Sequence, residues 1–399
     1  MMINQFTRIP QRILLMGLAL WGPATYGADD PQIIHELRER VAEGMPAEGL
    51  LFFNREERET AFAHMDAIFP TRSISASPSP KALIDAPSDL GALNYEFDGR
   101  KRSIADFLAE RRTRGLLVVQ GDQILLEHYA KNHGPDARWV SFSVTKSVTA
   151  MLIGAAIREG YIESVNDPVS RYVPRFQGTP YGQVTVENVL QMASGIAWNE
   201  DYTDPESDVA KAGGANGIRL LDYLKGLSRA APAGEQFNYN TAETNLAGEI
   251  LRAAIGNNAT AYLEKTIWHP FGMGDSAHWM LGEPYGGELG GCCISATLRD
   301  YARLGLFAMS QLNEREGHPI SAQYMRDGIA PSKGFDGYGY FWWLQGEGRF
   351  SALGIFGQQI FVNPALNLVV AVHGNDDVAE ALEYEAEVQS VIKTIEAAL

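Results

Sequence analysis

Apolar and polar positions change rhythm several times along the chain, and each change marks a boundary. Near the start, apolar residues run from Ile13 to Trp21 behind Arg8 and Arg12, then give way to small residues at Thr25–Ala28. That order predicts a cleavable export signal over residues 1–28, with an apolar run too short to span a bilayer. Residues 29–95 carry helical patches such as Ile33–Ala42 and a Ser/Pro stretch, Ser73–Pro80, and are expected to form an extension and linker. Gly115–Glu127 reads as two strands around a Gly121-Asp122 turn. The run Ser141–Ala156 starts polar and turns apolar on nearly every side, predicting a buried helix that stops at Gly160. Helical patterns then dominate to residue 289, with Thr185 as an N-cap and Glu187 in the following turn. Strand patterns return at Tyr338–Leu344, Gln359–Val362 and Leu368–Val372, before a closing helix from about Val378 to Leu399.

Strands at both ends with helices between them predict an α/β (α+β) domain over residues 96–399. One antiparallel sheet, built from 96–142 and 290–399 and flanked by helices, would be completed by both termini, with a mostly helical sub-domain, 143–289, inserted into it. The 399 residues are 45% hydrophobic and 21% charged, enough for two sub-domains. A formal charge of -16 repels phosphate backbones and argues against a nucleic-acid partner. After signal removal no stretch remains to hold the chain in a membrane, which leaves an exported, periplasmic or secreted protein. Cys292 and Cys293 are the only cysteines, so there is no disulfide framework, and both are expected in the core as small apolar residues.

The chemistry begins at Ser143-Val144-Thr145-Lys146. An i, i+3 pair shares one helix face, and a helix start offers free amides and a positive dipole end. A hydroxyl, an amine and unpaired amides together suit a serine nucleophile. Ser390-Val391-Ile392-Lys393 has the same spacing but lies mid-helix, where neighbouring amides are already bonded, and is read as structural. A tyrosine facing Ser143 could relay a proton to the leaving group, and Phe237-Asn238-Tyr239-Asn240-Thr241 supplies one. Metal readings are poor: His35-Glu36 lacks a second histidine at ligand spacing, and His128 with His133 lacks a carboxylate. No Gly-x-Ser-x-Gly elbow and no phosphate-cradling loop occur, so neither metal nor cofactor is expected.

Ser143-x-x-Lys146, Tyr239-Asn240-Thr241 and Ala352-Leu353-Gly354-Ile355 follow in order before a final strand. This resembles the signature of the serine β-lactamase and penicillin-binding-protein superfamily, in particular its class C-like branch with family VIII carboxylesterases and 6-aminohexanoate-dimer hydrolases. The resemblance covers roughly 96–399. It implies Ser143 as the acylated nucleophile, Lys146 as the general base and Tyr239 as the proton relay, with the backbone amides of Ser143 and Ile355 as oxyanion hole and Gly354 beside the substrate. Asn240 would orient Lys146 or the substrate carbonyl, or else simply shape a turn. Three departures stand out. Ala352-Leu353-Gly354 replaces the Lys-Thr-Gly triplet that holds a drug's carboxylate, the asparagine falls at the middle position after the tyrosine, and Met192-Ala193-Ser194-Gly195 replaces a His-Thr-Ser-Gly run.

The acidic, aromatic segment Trp198–Asp208 resembles a loop beside the pocket, which would place Trp198 and Tyr202 against substrate; the bland reading is a solvated loop. The expectation is an exported, cofactor-free serine hydrolase acting on a small ester or linear amide through an acyl-enzyme. A β-lactamase or D-Ala-D-Ala peptidase on the same scaffold is the first rival, and a non-catalytic binding module the second.

Overall fold

The computed structural model describes residues 30–110 and 112–399; the export signal expected over 1–28 lies outside the described residues. Strands are β1 (Thr71–Ile74), β2 (Ile84–Asp85), β3 (Asn94–Phe97), β4 (Arg100–Ser103), β5 (Thr113–Gln120), β6 (Gln123–Tyr129) and β7 (Arg138–Val140) before the helical region. Then come β8 (Ala277–Met280), β9 (Ile294–Thr297), β10 (Trp343–Leu344), β11 (Phe350–Gly354), β12 (Gln358–Asn363) and β13 (Leu368–Gly374). The main sheet has the order β10-β11-β12-β13-β5-β6-β2, antiparallel except for the short parallel pair β2–β6. β13 lies beside β5, so strands from the two ends of the domain close one sheet, as the pattern predicted.

Both faces of this sheet are covered, which is why its strands read as apolar runs rather than alternations. Leu117, Val119, Ile360, Val362, Val369 and Ala371 face the helical region. Leu116, Val118, Phe361, Val370 and Val372 face the closing helix through Val388, Val391, Ile392 and Ile395. Each fully buried Val, Leu or Ile contributes about 1.5–3 kcal/mol. The closing helix starts at Leu382 rather than Val378. The predicted hairpin turns at Gly121 (φ +66). The Val144–Arg158 helix is buried from Val144 to Ala156 and is followed by Gly160 at φ +79. Thr185 caps its helix by accepting from the Asn188 amide.

Three readings need correction. Residues 31–69 are not a loose extension: Leu37, Leu50, Phe53, Phe62, Met65 and Phe69 form a third core with Trp139, Phe142, Met280 and Phe356. The Ser/Pro stretch is not all linker either. Ser73 and Ile74 belong to β1 in a second sheet, β1-β8-β9-β7, because Ile74 is fully buried there. Of Tyr338–Leu344 only Trp343–Leu344 is strand. Phe341 takes φ +56, and Tyr338 and Trp343 meet edge-on at 4.9 Å, so the segment folds back as an aromatic loop. The two cysteines do pack into this third core, Cys293 buried and Cys292 beside it at a cavity wall, and are joined to each other as a vicinal disulfide. Adjacency in the chain, not packing, brings those sulfurs together.

Candidate active site

Ser143 immediately precedes the Val144–Arg158 helix with helical dihedrals (φ -68, ψ -8), and its side chain makes no capping bond. The hydroxyl is therefore free to face outward, into a cavity that Tyr239 also lines. Phe142 just before it takes φ +44, a conformation rare outside glycine and held only where packing enforces it. Phe356, just after Ile355, does the same at φ +60. Among the described residues neither the Ser143 nor the Ile355 amide has a backbone acceptor. Gly354 lets these two segments meet: a Cβ there would lie 2.5 Å from the Ser141 carbonyl and 3.2 Å from the Ser143 nitrogen. Two free N–H groups beside a hydroxyl can stabilise a developing oxyanion.

Lys146 is one turn on and almost fully buried. Its Nζ donates to Thr241 Oγ1 at 3.0 Å and to the Gly291 carbonyl at 3.1 Å. The Gly291 peptide is fixed from the other side, because its N–H donates to Asn245 Oδ1 at 2.9 Å. A Cβ at Gly291 would stand 2.8 Å from Thr244 Oγ1 and 3.1 Å from Nζ, so only glycine leaves room. Thr241 in turn donates its hydroxyl to Glu200 Oε1, while its amide donates to Oε2 at 3.0 Å. Tyr202 donates to Oε1 at 2.7 Å and Trp198 to Oε2. With the Thr241 proton committed to Glu200, its remaining lone pair can only accept from Lys146. A neutral amine has two N–H bonds and one lone pair. Both N–H bonds have acceptors, which leaves the lone pair for a third direction.

Burial pushes Lys146 down to about 8, against the opposing pull of the Glu200 charge. Burial, reinforced by the Glu200 charge, holds the Tyr239 hydroxyl well above the ordinary tyrosine range. Tyr239 stacks on Trp343 at 5.7 Å and lies with its ring 5.5 Å from Nζ.

Ser143 stands between two cavities. One, a narrow space of about 50 Å³, is lined by Lys146, Tyr202, Thr241, Ile355 and mainly apolar groups. The other, about 410 Å³ and more open, is bordered by Tyr239, Trp343, Leu353, Gly354, Glu380 and Glu385. Burial and the charges of Asp376 and Glu380 push Glu385 up to about 7.

The structure thus brings together Ser143, Lys146, Tyr239, Tyr202, Gly354 and Ile355. Trp198 borders neither cavity: it is buried behind Glu200 and packs on Tyr223. Asn240 does not reach Lys146. Its Oδ1 caps the Thr241–Ile255 helix by accepting from the Glu243 amide at 3.1 Å. Thr241, two residues after the tyrosine, takes the lysine instead. Sequence reasoning missed Thr241, Gly291 and the role of Glu200, as well as the N-terminal residues Ala47, Glu48, Leu50 and Leu51 in the smaller cavity. Only Thr241 left a signal, as a hydroxyl at a motif position. Ser390 is mid-helix as expected, donating to the Ala386 carbonyl at 3.1 Å. Among the described residues, no group of three or more His, Cys, Asp or Glu could hold a metal, and no helix is long and apolar enough to cross a membrane.

A family model described as Beta-lactamase matches residues 100–391. The 6-aminohexanoate-dimer hydrolase of Paenarthrobacter ureafaciens is 28% identical over 340 residues, covering 78% of this chain and 83% of that protein. A solved structure from Bacillus anthracis, assigned as a 6-aminohexanoate-dimer hydrolase, superposes with TM-score 0.74 at 20% identity, over 85% of this chain and 92% of the other. A family VIII carboxylesterase superposes with TM-score 0.53 at 14% identity, over 71% and 92%.

Proposed function

The chain belongs to the beta-lactamase family of serine hydrolases, and from that premise we propose that it cleaves esters or linear amides through an acyl-enzyme on Ser143. The observation carrying this reading is the lysine whose two N–H bonds end on Thr241 and Gly291, one helical turn from a hydroxyl that shares a cavity wall with Tyr239. In this proposal the Lys146 lone pair takes the Ser143 proton as Oγ attacks the carbonyl carbon. The carbonyl oxygen becomes an oxyanion held by the Ser143 and Ile355 amides. Collapse breaks the bond to the alcohol or amine, which takes a proton from Tyr239, and the Lys146 ammonium returns one to the phenolate. Water then attacks the acyl-enzyme by the same route and releases the acid. No step calls for a cofactor.

The esterase or amidase direction draws on the relatives, one named for hydrolysing a 6-aminohexanoate dimer and another a carboxylesterase. Leu353 and Gly354 border the open cavity where a β-lactam-binding site would present a cation and a hydroxyl, and neither residue supplies one. Export belongs to the same proposal and rests on the pattern of residues 1–28.

Labelling with a fluorophosphonate followed by peptide mapping tests the nucleophile. Modification should fall on Ser143, and Ser143→Ala should lose label and ester turnover together while keeping its unfolding midpoint. Label on Ser390, or turnover that survives in Ser143→Ala, overturns the reading.

A further inference from the structure

Gly291 and Ile294 brace the Ser143 turn at two points, and the residues separating them are both cysteine. The Gly291 carbonyl accepts from Lys146 Nζ at 3.1 Å. The Ile294 amide donates to Ser141 Oγ and to Thr145 Oγ1, each at 2.9 Å, and the Ile294 carbonyl accepts from the Ser141 amide at 2.8 Å. Ser141 and Thr145 bracket Ser143, so the segment from Gly291 to Ile294 ties the lysine to the serine's own turn. Within it Cys292 and Cys293 are bonded to each other. A disulfide between chain neighbours closes a small ring around their shared peptide and removes the rotations by which that peptide could turn. The Cys292 carbonyl accepts from Trp279 Nε1 at 3.3 Å and the Cys293 carbonyl from the Met280 amide at 3.0 Å, which fixes the ring against β8. Gly291 has no side chain to hold it, so its orientation depends on these neighbours and on Asn245.

We propose that the Cys292–Cys293 disulfide is a positioning element for Lys146: it stiffens the link between Gly291 and Ile294, keeps the Gly291 carbonyl in line with Nζ, and makes the hydrolase sensitive to reduction. The proposal rests on reading Lys146 as the base that serves Ser143. Once the ring opens, the peptide between the cysteines regains its rotations and the Gly291 carbonyl can swing away. The buried amine then loses one of its two acceptors, and its lone pair is no longer held toward the hydroxyl. The reductant is a dithiol. Its thiolate attacks one sulfur, the Cys292–Cys293 bond breaks, and a second attack within the dithiol releases it as a cyclic disulfide. Two electrons and two protons thereby pass from the dithiol to Cys292 and Cys293, which become thiols. The cysteines make and break no bond to the substrate; they act through Gly291.

Thiol titration of the full-length protein in denaturant, before and after dithiothreitol treatment, paired with kinetics on p-nitrophenyl butyrate, tests the idea. Protein purified without reductant should show no free thiol, and treated protein should show both cysteines free. On reduction kcat should fall at least about tenfold, the scale of a catalytic group displaced by an ångström or less. KM and the urea unfolding midpoint should change little, and kcat should return when the thiols are reoxidised. The double variant Cys292→Ala/Cys293→Ala should match the reduced enzyme and ignore dithiothreitol, and it decides the matter where the folded wild type resists reduction. Cys292→Ser, at the less buried position, reaches the same unlinked state where the double variant fails to fold. Free thiols in the untreated protein, an unchanged kcat in the reduced or unlinked forms, or a loss of activity that follows the urea midpoint overturns the proposal. An oxidised wild type that turns over no ester removes the hydrolase reading and this proposal with it, whereas equal turnover in both redox states removes this proposal alone.

Discussion

Phe142 and Phe356, each next to one of the two free amides at the site, both adopt left-handed backbone, and their rings lie 5.3 Å apart. Phe62 packs against both, at 4.9 Å from Phe142 and 5.3 Å from Phe356. Its carbonyl also accepts from the Val140 amide at 3.0 Å. Strained backbone of this kind persists only where surroundings over-determine it. The N-terminal segment thus wedges the two halves of the proposed oxyanion hole into place.

Phe62→Ala should therefore cost about 3–5 kcal/mol of stability, the usual range for a buried phenylalanine. It should also lower kcat for an ester more than it raises KM, because the amides act on the transition state. Urea unfolding and steady-state kinetics read the two effects. Lost stability with untouched kcat would mean that the amides hold their geometry without the wedge.

Thr241→Val and Glu200→Gln probe the orientation of Lys146. Each removes part of the chain that directs the Thr241 lone pair, so kcat should fall about 10–100-fold with KM little changed. The titratable groups around Lys146 are Glu200, Tyr239 and Tyr202, with Glu385 acting on Tyr239 from across the cavity. The Glu200 charge favours protonated Lys146, so its loss should move the acidic limb of the pH–rate profile to lower pH. An unshifted limb with normal kcat would leave Glu200 a structural group only.

Wild-type kcat/KM should climb from acid and level off above pH about 8. Lys146 is held at about 8, below the ordinary lysine value; above that pH the amine is mostly neutral and can accept a proton, and below it the protonated form prevails. Lys146→Ala should lose both the activity and the limb. Full activity at pH 4, or more than about a tenth of the rate in Lys146→Ala, would require another base.

Turnover of nitrocefin should be slow or absent beside a short-chain p-nitrophenyl ester. A β-lactam's carboxylate needs a charge-assisted bond typically worth about 1.5–3 kcal/mol, and Ala352 and Leu353 cannot make one. Glu380 and Glu385 on the open cavity would repel it further once ionised. Comparable specificity constants for the two compounds would contradict this.

The sequence by itself determined what depends on near neighbours. The Val144–Arg158 helix, its stop at Gly160, the Gly121 hairpin and the Thr185 cap all follow from periodicity and backbone preference within a few residues. It also placed Ser143, Lys146, Tyr239 and Ile355 in order. Tertiary structure alone decided who surrounds Lys146. Thr241 lies 95 positions after the lysine and Glu200 lies 41 positions before Thr241, and Gly291 meets Nζ only because the Thr241–Ile255 helix packs beside the Val144–Arg158 helix. The same holds for residues 31–69, whose apolar positions look like any surface helix until Trp139, Phe142 and Phe356 cover them. Local pattern records which face is apolar. Which distant surface will bury that face, and which acceptors will take the N–H bonds of a buried lysine, is fixed only when the elements pack and every buried donor must find an acceptor.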